Sequence, residues 1–354
     1  QQTNLYKCFL PQAWNNGATS SVSAFVHPNG VFDDPNGGVL RQKLYSCLRY
    51  YFRFSNRTSI FSDVSQSRDF CLNVYSTSKS PSFDYIGNLF ATTTIEDCYI
   101  GNSSDLVPAI KDDKGSWNTK GHPDRIIKIT QKELKLFASM FDGTDDWKVA
   151  RLPVIHSKQL MDVLNCFAEY PKRLEEVGEN VFASELWHET NAQKEGTKSK
   201  EVHYPEGGID TILSGAHIGV ANPLFKCSRS DCQSRYDFDP IDLTLVKRGY
   251  IQRCNYRPAC DNATYYQRVP VTPWGTSFLD EYRIVSRRML NQDGERTLMA
   301  TIIPPRVGYI NTVFGVALNS RISTFAGMEM SLPYDFYIKT TRKSDGRYDT
   351  ISKL

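Results

Sequence analysis

The chain has 354 residues, of which 40% are hydrophobic and 23% are charged, and its formal net charge at pH 7 is +3. This length suits two or three globular domains, and the small net charge means that any nucleic-acid-binding surface has to be a local patch. No run of roughly 18 apolar residues is present, which argues against a transmembrane helix and a membrane partner.

The N-terminal residues and the pattern of cysteines bear on the cellular compartment of the protein. Gln1–Asn4 has no signal-peptide pattern and no initiator Met, so we expect a processed or excised piece of a protein. Nine cysteines are scattered without the spacing of a secreted disulfide framework. We therefore expect reduced thiols and a cytoplasmic location.

The first hundred residues alternate between helical and strand-like patterns. Apolar spacing predicts a helix over 5–14, a strand over 22–27 and a helix over 39–45. Two runs rich in aromatic and β-branched residues then predict strands over 50–54 and 70–75. We place a domain boundary at about residue 107, ahead of a polar stretch, so that residues 1–107 and 108–354 form separate regions.

The second region mixes helices and strands. A strand over 126–129 precedes a helix that starts at Thr130, and Glu133 stands at the spacing of a capping box. Further patterns of the second region predict helices over 156–167 and 277–290 and strands over 217–221 and 297–303.

The segment His217–Phe225 is the first candidate for chemistry. It contains Asn222-Pro223-Leu224-Phe225, which is similar to the Asn-Pro-Pro-aromatic motif with which adenine methyltransferases hold a flipped base. Leucine stands in place of the second proline, and no Gly-rich cofactor loop precedes the segment. An Asn-Pro turn at a strand end is the favoured interpretation, so no catalytic or cofactor-binding residue is assigned.

A second candidate is a set of four cysteines, Cys227, Cys232, Cys254 and Cys260. Structural zinc sites prefer tighter pairs such as C-x2-C, and loosely spaced buried thiols are the commoner arrangement. We therefore predict no metal site here. The six histidines show no zinc-protease or deaminase spacing, and no phosphate-binding loop is present.

Basic, amide and aromatic residues are dense over 247–257. Arginine pairs with guanine edges, asparagine and glutamine pair with adenine, and lysine and tyrosine reach phosphates. A second basic cluster lies on the predicted 277–290 helix. The alternative is an ordinary solvated face, or arginines that brace acidic neighbours such as Asp239, Asp242 or Asp261. The candidate DNA-binding residues are Lys247, Arg248, Gln252, Arg253, Asn255, Tyr256, Arg257, Arg287 and Arg288.

Several segments resemble a known family. They include Asn4–Trp14, the turn His27–Gly38, Leu48–Phe54, Asn255–Asp261 and Ile302–Pro305. These resemble the C-terminal portion of type IIG-like and DISARM-type bacterial adenine-specific DNA methyltransferases, which act in restriction–modification and phage defence. The resemblance implies that residues 1–107 end a Rossmann-like methyltransferase sheet and that residues 108–354 form a mixed α+β target-recognition region.

The same resemblance implies a division of labour. In that family the S-adenosylmethionine site and the Asn-Pro-Pro-aromatic motif precede the matched region, so the cofactor belongs to the complete enzyme and the catalytic half lies elsewhere, in the same chain or a separate subunit. We therefore expect sequence-selective binding of double-stranded DNA without a complete catalytic site. The alternatives are a degenerate or permuted N6-adenine methyltransferase that uses Asn222–Phe225, and a protein-interaction scaffold in a defence complex.

Overall fold

The structure is a computed structural model that describes residues 4–77, 80–170 and 172–353. It divides into two units, residues 1–171 and 172–354, hereafter the first and the second unit. The predicted boundary near residue 107 falls inside the first unit, so residues 108–170 fold with the first region rather than with the second. No helix in the described ranges is both long and apolar enough to cross a membrane.

The helices and strands that the sequence predicts in the first unit are present, and the structure adds a strand over 82–89 and a helix over 93–100 that were not predicted. The elements of the first unit are α1 Tyr6–Asn16, β1 Val22–Pro28, α2 Gly30–Asp33, α3 Gly38–Cys47, β2 Leu48–Ser55, β3 Asp69–Ser76, β4 Ser82–Leu89, α4 Thr93–Ile100, β5 Ile127–Thr130, α5 Gln131–Phe137 and α6 Lys158–Ala168. The predicted capping box is present at the start of α5, where the Glu133 carboxylate accepts the backbone N–H of Thr130 at 2.9 Å.

A five-stranded sheet in the order β1-β3-β2-β4-β5 organises the described part of the first unit. β3 is antiparallel to β1 and to β2, β2 is parallel to β4, and β4 is antiparallel to β5. A doubly wound Rossmann sheet is mostly parallel. The structure therefore confirms a mixed α and β architecture, consistent with the α+β class, and does not establish the Rossmann-like methyltransferase sheet.

Two side chains of α3 tie it to a segment far along the chain. Arg41 is buried, and its guanidinium donates to the carbonyl oxygen of Val149 at 2.9 and 3.0 Å and to that of Asp34 at 2.6 Å. The buried Tyr45 hydroxyl donates to the carbonyl oxygen of Ala150. Because a buried charge needs hydrogen-bond partners, these carbonyl groups are what allows Arg41 to lie in the interior.

The second unit is built from short strands and helices joined by longer loops. Its elements are β6 Val181–Ser184, α7 Glu189–Lys194, β7 Lys198–Ser199, β8 Ile212–Leu213, β9 Lys226–Ser228, β10 Phe238–Pro240, β11 Arg257–Pro258, α8 Asn262–Gln267, β12 Arg283–Arg287, β13 Ala300–Ile303, β14 Gly308–Tyr309, β15 Val313–Leu318, α9 Ile322–Glu329, α10 Leu332–Thr341 and α11 Tyr348–Ile351.

An antiparallel sheet in the order β13-β12-β15-β6 crosses the second unit. One side of this region packs into a core that includes Trp187, Tyr265, Phe278 and Tyr309. The predicted helix over 277–290 is wrong, because β12 occupies 283–287 and pairs with strands on both sides. A central strand buried on both faces shows no simple alternation, so its pattern is easily taken for a helix.

Gly315, in the middle of β15, is expected to tolerate no side chain. A Cβ atom there would lie 2.0 Å from the Tyr309 hydroxyl oxygen and 2.7 Å from Cζ of that ring. Tyr309 is buried, so Gly315→Ala should overpack the core and lower the free energy of unfolding by about 1–3 kcal/mol. Urea denaturation measures this loss.

Gly327→Ala is the matched control in the same unit. Gly327 lies within α9, and nothing stands within 4 Å of the Cβ position there. Alanine should stabilise that helix slightly, since glycine is the poorer helix former. Equal unfolding midpoints for the two variants would contradict the packing argument at Gly315.

Candidate nucleic-acid interface

The segment over 217–225 forms turns rather than the predicted strand. A single helical turn covers Gly215–His217, and Ala221 has a left-handed φ of +54°. The Asn222 side-chain oxygen accepts the backbone N–H of Leu224 at 2.9 Å. The carboxamide oxygen that a catalytic asparagine would offer to an adenine amino group is therefore used within its own Asn-Pro turn.

The Phe225 ring has two cations over it. The Lys226 ammonium lies 5.5 Å from the ring centroid and the Arg287 guanidinium lies 5.1 Å from it. The Arg287 Nε atom also donates to the carbonyl oxygen of Ile218 at 2.6 Å, and burial lowers the pKa of Arg287. Arg287 is thus on β12 and half-buried, where it packs the 217–225 turns onto the sheet.

Lys247 and Arg248 are the most accessible of the candidate DNA-binding residues. They occupy a tight turn in which the Tyr250 N–H donates to the Lys247 carbonyl oxygen at 3.1 Å. Gly249 takes φ +84°, the left-handed value that this kind of turn needs. Both cations are exposed, and neither forms an ion pair or a side-chain hydrogen bond within the described residues. The turn therefore presents two unpaired positive charges to solvent.

Three candidate residues lie inside the fold instead. Gln252, Asn255 and Tyr256 are 3%, 6% and 4% exposed. The Gln252 amide donates to the carbonyl oxygen of Pro223 at 2.9 Å, and the Tyr256 hydroxyl donates to the Glu189 carboxylate. As placed, these side chains are buried and support the loop.

Arg257 and Arg288 pair with carboxylates of the second unit. Arg257 lies 3.1 Å from Glu201, and Arg288 makes two hydrogen bonds to Asp345 at 2.6 and 3.0 Å. The acidic partners differ from those named in the alternative, but the physical role is the same: these arginines brace the fold. Arg288 is not on a helix, since it directly follows β12.

Arg253 is half-buried, unlike the exposed Lys247 and Arg248 and the buried Gln252. Its guanidinium donates to the Tyr204 hydroxyl at 2.7 Å and to the carbonyl oxygen of Ser228 at 3.3 Å, and it lies 4.7 Å from the centre of the Tyr204 ring. It has no carboxylate partner within the described residues. Arg253 therefore joins an exposed tyrosine to strand β9.

The four cysteines of the second unit do not converge. The Cys227 and Cys232 thiols donate to carbonyl oxygens of their own loop, while those of Cys254 and Cys260 donate elsewhere, each at 3.6–3.8 Å. Burial raises the pKa of Cys254 to about 12, which opposes the thiolate that zinc requires. Among the described residues, no three His, Cys, Asp or Glu side chains are grouped as a metal site.

Elemental analysis of protein purified without chelators is expected to find no bound zinc. The reason is the separate hydrogen-bonding of these four thiols, all of which are free. A Cys254→Ser variant serves as the comparison, because loss of a zinc ligand would release metal and unfold the loop. One equivalent of zinc per chain in the parent would contradict this prediction.

Sequence reasoning missed the hairpin formed by β9 and β10. It pairs Ser228 with Phe238 and Cys227 with Asp239, and its loop over 229–237 carries the exposed Arg235 and Tyr236. Burial and the neighbouring Cys227 thiol raise the pKa of Tyr250, at the end of the Lys247–Tyr250 turn, to about 12, so turn and hairpin are neighbours. Two short strands interrupted by polar residues give little periodic signal.

Comparisons with known proteins give distant structural likenesses. No family model and no curated protein matches the chain. Among solved structures, the type IIG restriction endonuclease BpuSI shares 11% identity at a TM-score of 0.33 over 100% of this chain and 42% of its own. The ATP-dependent type ISP restriction–modification enzyme LlaBIII bound to DNA shares 10% identity at a TM-score of 0.28, over 98% and 24%.

The chain thus spans less than half the length of both these structures.

Proposed function

We propose that the second unit binds double-stranded DNA sequence-selectively, as the specificity part of a bacterial, cytoplasmic adenine methyltransferase of restriction–modification or phage defence. The observation that carries the proposal is the unpaired, exposed pair Lys247–Arg248 beside the β9–β10 hairpin. Residues 217–257 hold seven Lys and Arg against four Asp. This segment therefore carries a net charge of +3, which equals that of the whole chain.

Three of the four aspartates of this segment, Asp237, Asp239 and Asp242, pair with a cation or accept hydrogen bonds locally. Asp239 pairs with Arg229 at 2.8 Å, and the Asp242 carboxylate accepts the Thr244 N–H at 2.9 Å. Lys247 and Arg248 have no such neighbour within the described residues. Phosphate contacts supply most of the affinity of a DNA-binding protein. The resemblance of the sequence to DNA methyltransferases favours double-stranded DNA as the form of nucleic acid that is bound.

The test is the salt dependence of duplex binding by the full chain. Affinity should fall steeply between about 50 and about 200 mM salt, as released counterions require. Selection from a random duplex library should then recover a preferred site. A well-folded chain that binds no duplex at the lower salt would overturn the proposal and favour a protein-interaction scaffold.

S-adenosylmethionine, in this proposal, belongs to the complete enzyme, and the chain by itself is expected not to bind it. The motivating observations are the lack of a Gly-rich loop before Asn222 and the use of the Asn222 side-chain oxygen within its turn. Titration calorimetry checks this, with a complete adenine methyltransferase as the positive control. Micromolar binding would instead favour the degenerate or permuted methyltransferase that uses Asn222–Phe225.

A further inference from the structure

The β9–β10 hairpin has a loop whose shape is fixed by its own side chains. The Asp237 carboxylate accepts the backbone N–H groups of Gln233 and Ser234 at 3.1 and 2.8 Å, and the Ser234 hydroxyl at 2.9 Å. Hydrogen bonding to Ser234 holds the pKa of Asp237 below its ordinary value. The Lys200 ammonium donates to the Gln233 carbonyl oxygen at 2.9 Å, which ties the loop to the residue that follows β7.

The two strands are equally well anchored at their base. Phe238 is buried, and its ring meets the edge of the buried His217 ring at 5.1 Å. The Ser228 hydroxyl donates to the carbonyl oxygen of Arg253 at 3.0 Å, and the Arg253 guanidinium donates back to that of Ser228. The hairpin is thus held in one position before any ligand arrives.

Among the side chains that this loop presents to solvent are an arginine and a tyrosine at its tip, Arg235 and Tyr236. Tyr236 is 73% exposed, and the Arg235 guanidinium lies 4.8 Å from the centre of its ring. An Nη atom of Arg235 also hydrogen-bonds to the Tyr236 hydroxyl. Within the described residues Arg235 has no carboxylate partner, whereas Arg229, in the same loop, is paired with Asp239.

We propose that this hairpin enters the major groove of duplex DNA and that Arg235 reads a guanine there, with Tyr236 orienting its guanidinium. The inference rests on the proposed function and names its specificity residue. A two-stranded ribbon fits the major groove, and arginine to guanine O6 and N7 is the commonest specific contact in it. A guanidinium has five N–H donors, and the Tyr236 hydroxyl takes one of those of Arg235, so the others remain for a guanine.

The unpaired positive charges of this surface favour duplex DNA over a protein as the partner. Arg235 and the neighbouring Lys247–Arg248 turn offer cations without acidic residues paired to them, as a phosphate-lined groove requires. The Lys247–Arg248 turn would contact the backbone while the hairpin contacts bases. An acidic protein surface is the competing occupant, and the duplex measurements below separate it.

The experiment compares Arg235→Lys and Arg235→Ala with the parent on the duplex recovered by library selection and on duplexes with single base-pair changes. Arg235→Lys keeps the charge but loses the two-pronged fork. Its salt slope should match that of the parent, while its preference at one guanine position falls by about fivefold to a hundredfold. Arg235→Ala should lose the same preference.

Arg229→Lys is the matched control, because it changes an arginine of the same loop that is already paired with Asp239. It should keep the parent's preference at every position, and circular dichroism should show all the variants folded. If Arg235→Lys and Arg235→Ala discriminate as the parent does, the hairpin is not the reader, although the proposed function stands.

Two other results also overturn the inference. If Arg235→Ala weakens every duplex equally, Arg235 contacts phosphate rather than a base. If the parent binds no duplex at low salt, the proposed function fails and this inference fails with it.

Discussion

The parent protein is expected to lose stability as the pH rises from mildly acidic to mildly alkaline. Replacing Glu329 with glutamine is expected to abolish this loss. Glu329 is the last residue of α9, and its side chain is buried, with Oε2 lacking a hydrogen-bond partner among the described residues. Burial raises the pKa of this carboxyl from its ordinary 4.5 to about 8.

The direction of the effect follows from which state binds the proton. Below 4.5 the carboxyl is protonated in both states; between 4.5 and about 8 it ionises when unfolded but stays protonated when folded. The free energy of unfolding therefore falls as the pH rises through this window, and levels off above it. Glutamine does not ionise. By pH 8 the free energy of unfolding of the variant should therefore exceed that of the parent by on the order of 4 kcal/mol.

Urea denaturation of parent and variant between pH 5 and pH 9 (roughly the window of that titration) measures the difference. Glu295→Gln is the control, since Glu295 is an exposed residue of the same unit and should show little pH-dependent change. Parallel stability curves for the parent and Glu329→Gln would mean that the Glu329 carboxyl is ionised in the folded protein.

The double variant Lys247→Ala/Arg248→Ala is expected to bind every duplex roughly sixty-fold more weakly than the parent at about 0.1 M salt. Each phosphate contact contributes about 0.9 to the slope of log affinity against log salt, which is about eightfold in affinity at that concentration. The slope should therefore become shallower by about 1.8. Base preference should be unchanged, because phosphate contacts carry no sequence information.

Fluorescence anisotropy with labelled duplexes at several salt concentrations measures both quantities. Lys172→Ala/Lys194→Ala removes the same charge from two other exposed positions of the second unit and should alter the slope far less. A double variant at the turn that keeps the parent's slope would exclude Lys247 and Arg248 from the DNA contact.

Local patterns predicted much of the first unit. The strands β1, β2 and β3 and the helix α3 lie where the spacing of apolar residues predicted them. The capping box at Thr130 was predicted from two residues, Thr130 and Glu133. Each of these depends on neighbours within a few positions along the chain.

Long-range pairing explains the failures. β12 is a strand because 300–303 and 313–318 flank it, and β5 joins the first sheet because it pairs with β4 across about forty residues. Neither partnership can be inferred from the segment itself. The prediction of a helix over 277–290 was consequently wrong.

The candidate interface was predictable in composition but not in exposure. The 247–257 segment is basic, yet only the structure shows that Lys247 and Arg248 face solvent while Gln252, Asn255 and Tyr256 are buried. Arg288 pairs with Asp345, which lies 57 residues away along the chain. The spacing of residues in the sequence does not predict a contact over such a separation. The binding experiments on Lys247 and Arg248 test whether the predicted residues contact DNA.

The bonds from α3 to the 149–150 segment have a consequence for synthesis on the ribosome. Arg41 and its acceptor Val149 are separated by 108 residues, and Tyr45 and Ala150 by 105. During translation α3 emerges long before these carbonyl groups exist, so its guanidinium must stay hydrated until residue 150 has left the exit tunnel. Contacts this far apart close late, and the nascent first unit therefore passes through a prolonged stage in which α3 is exposed to chaperones.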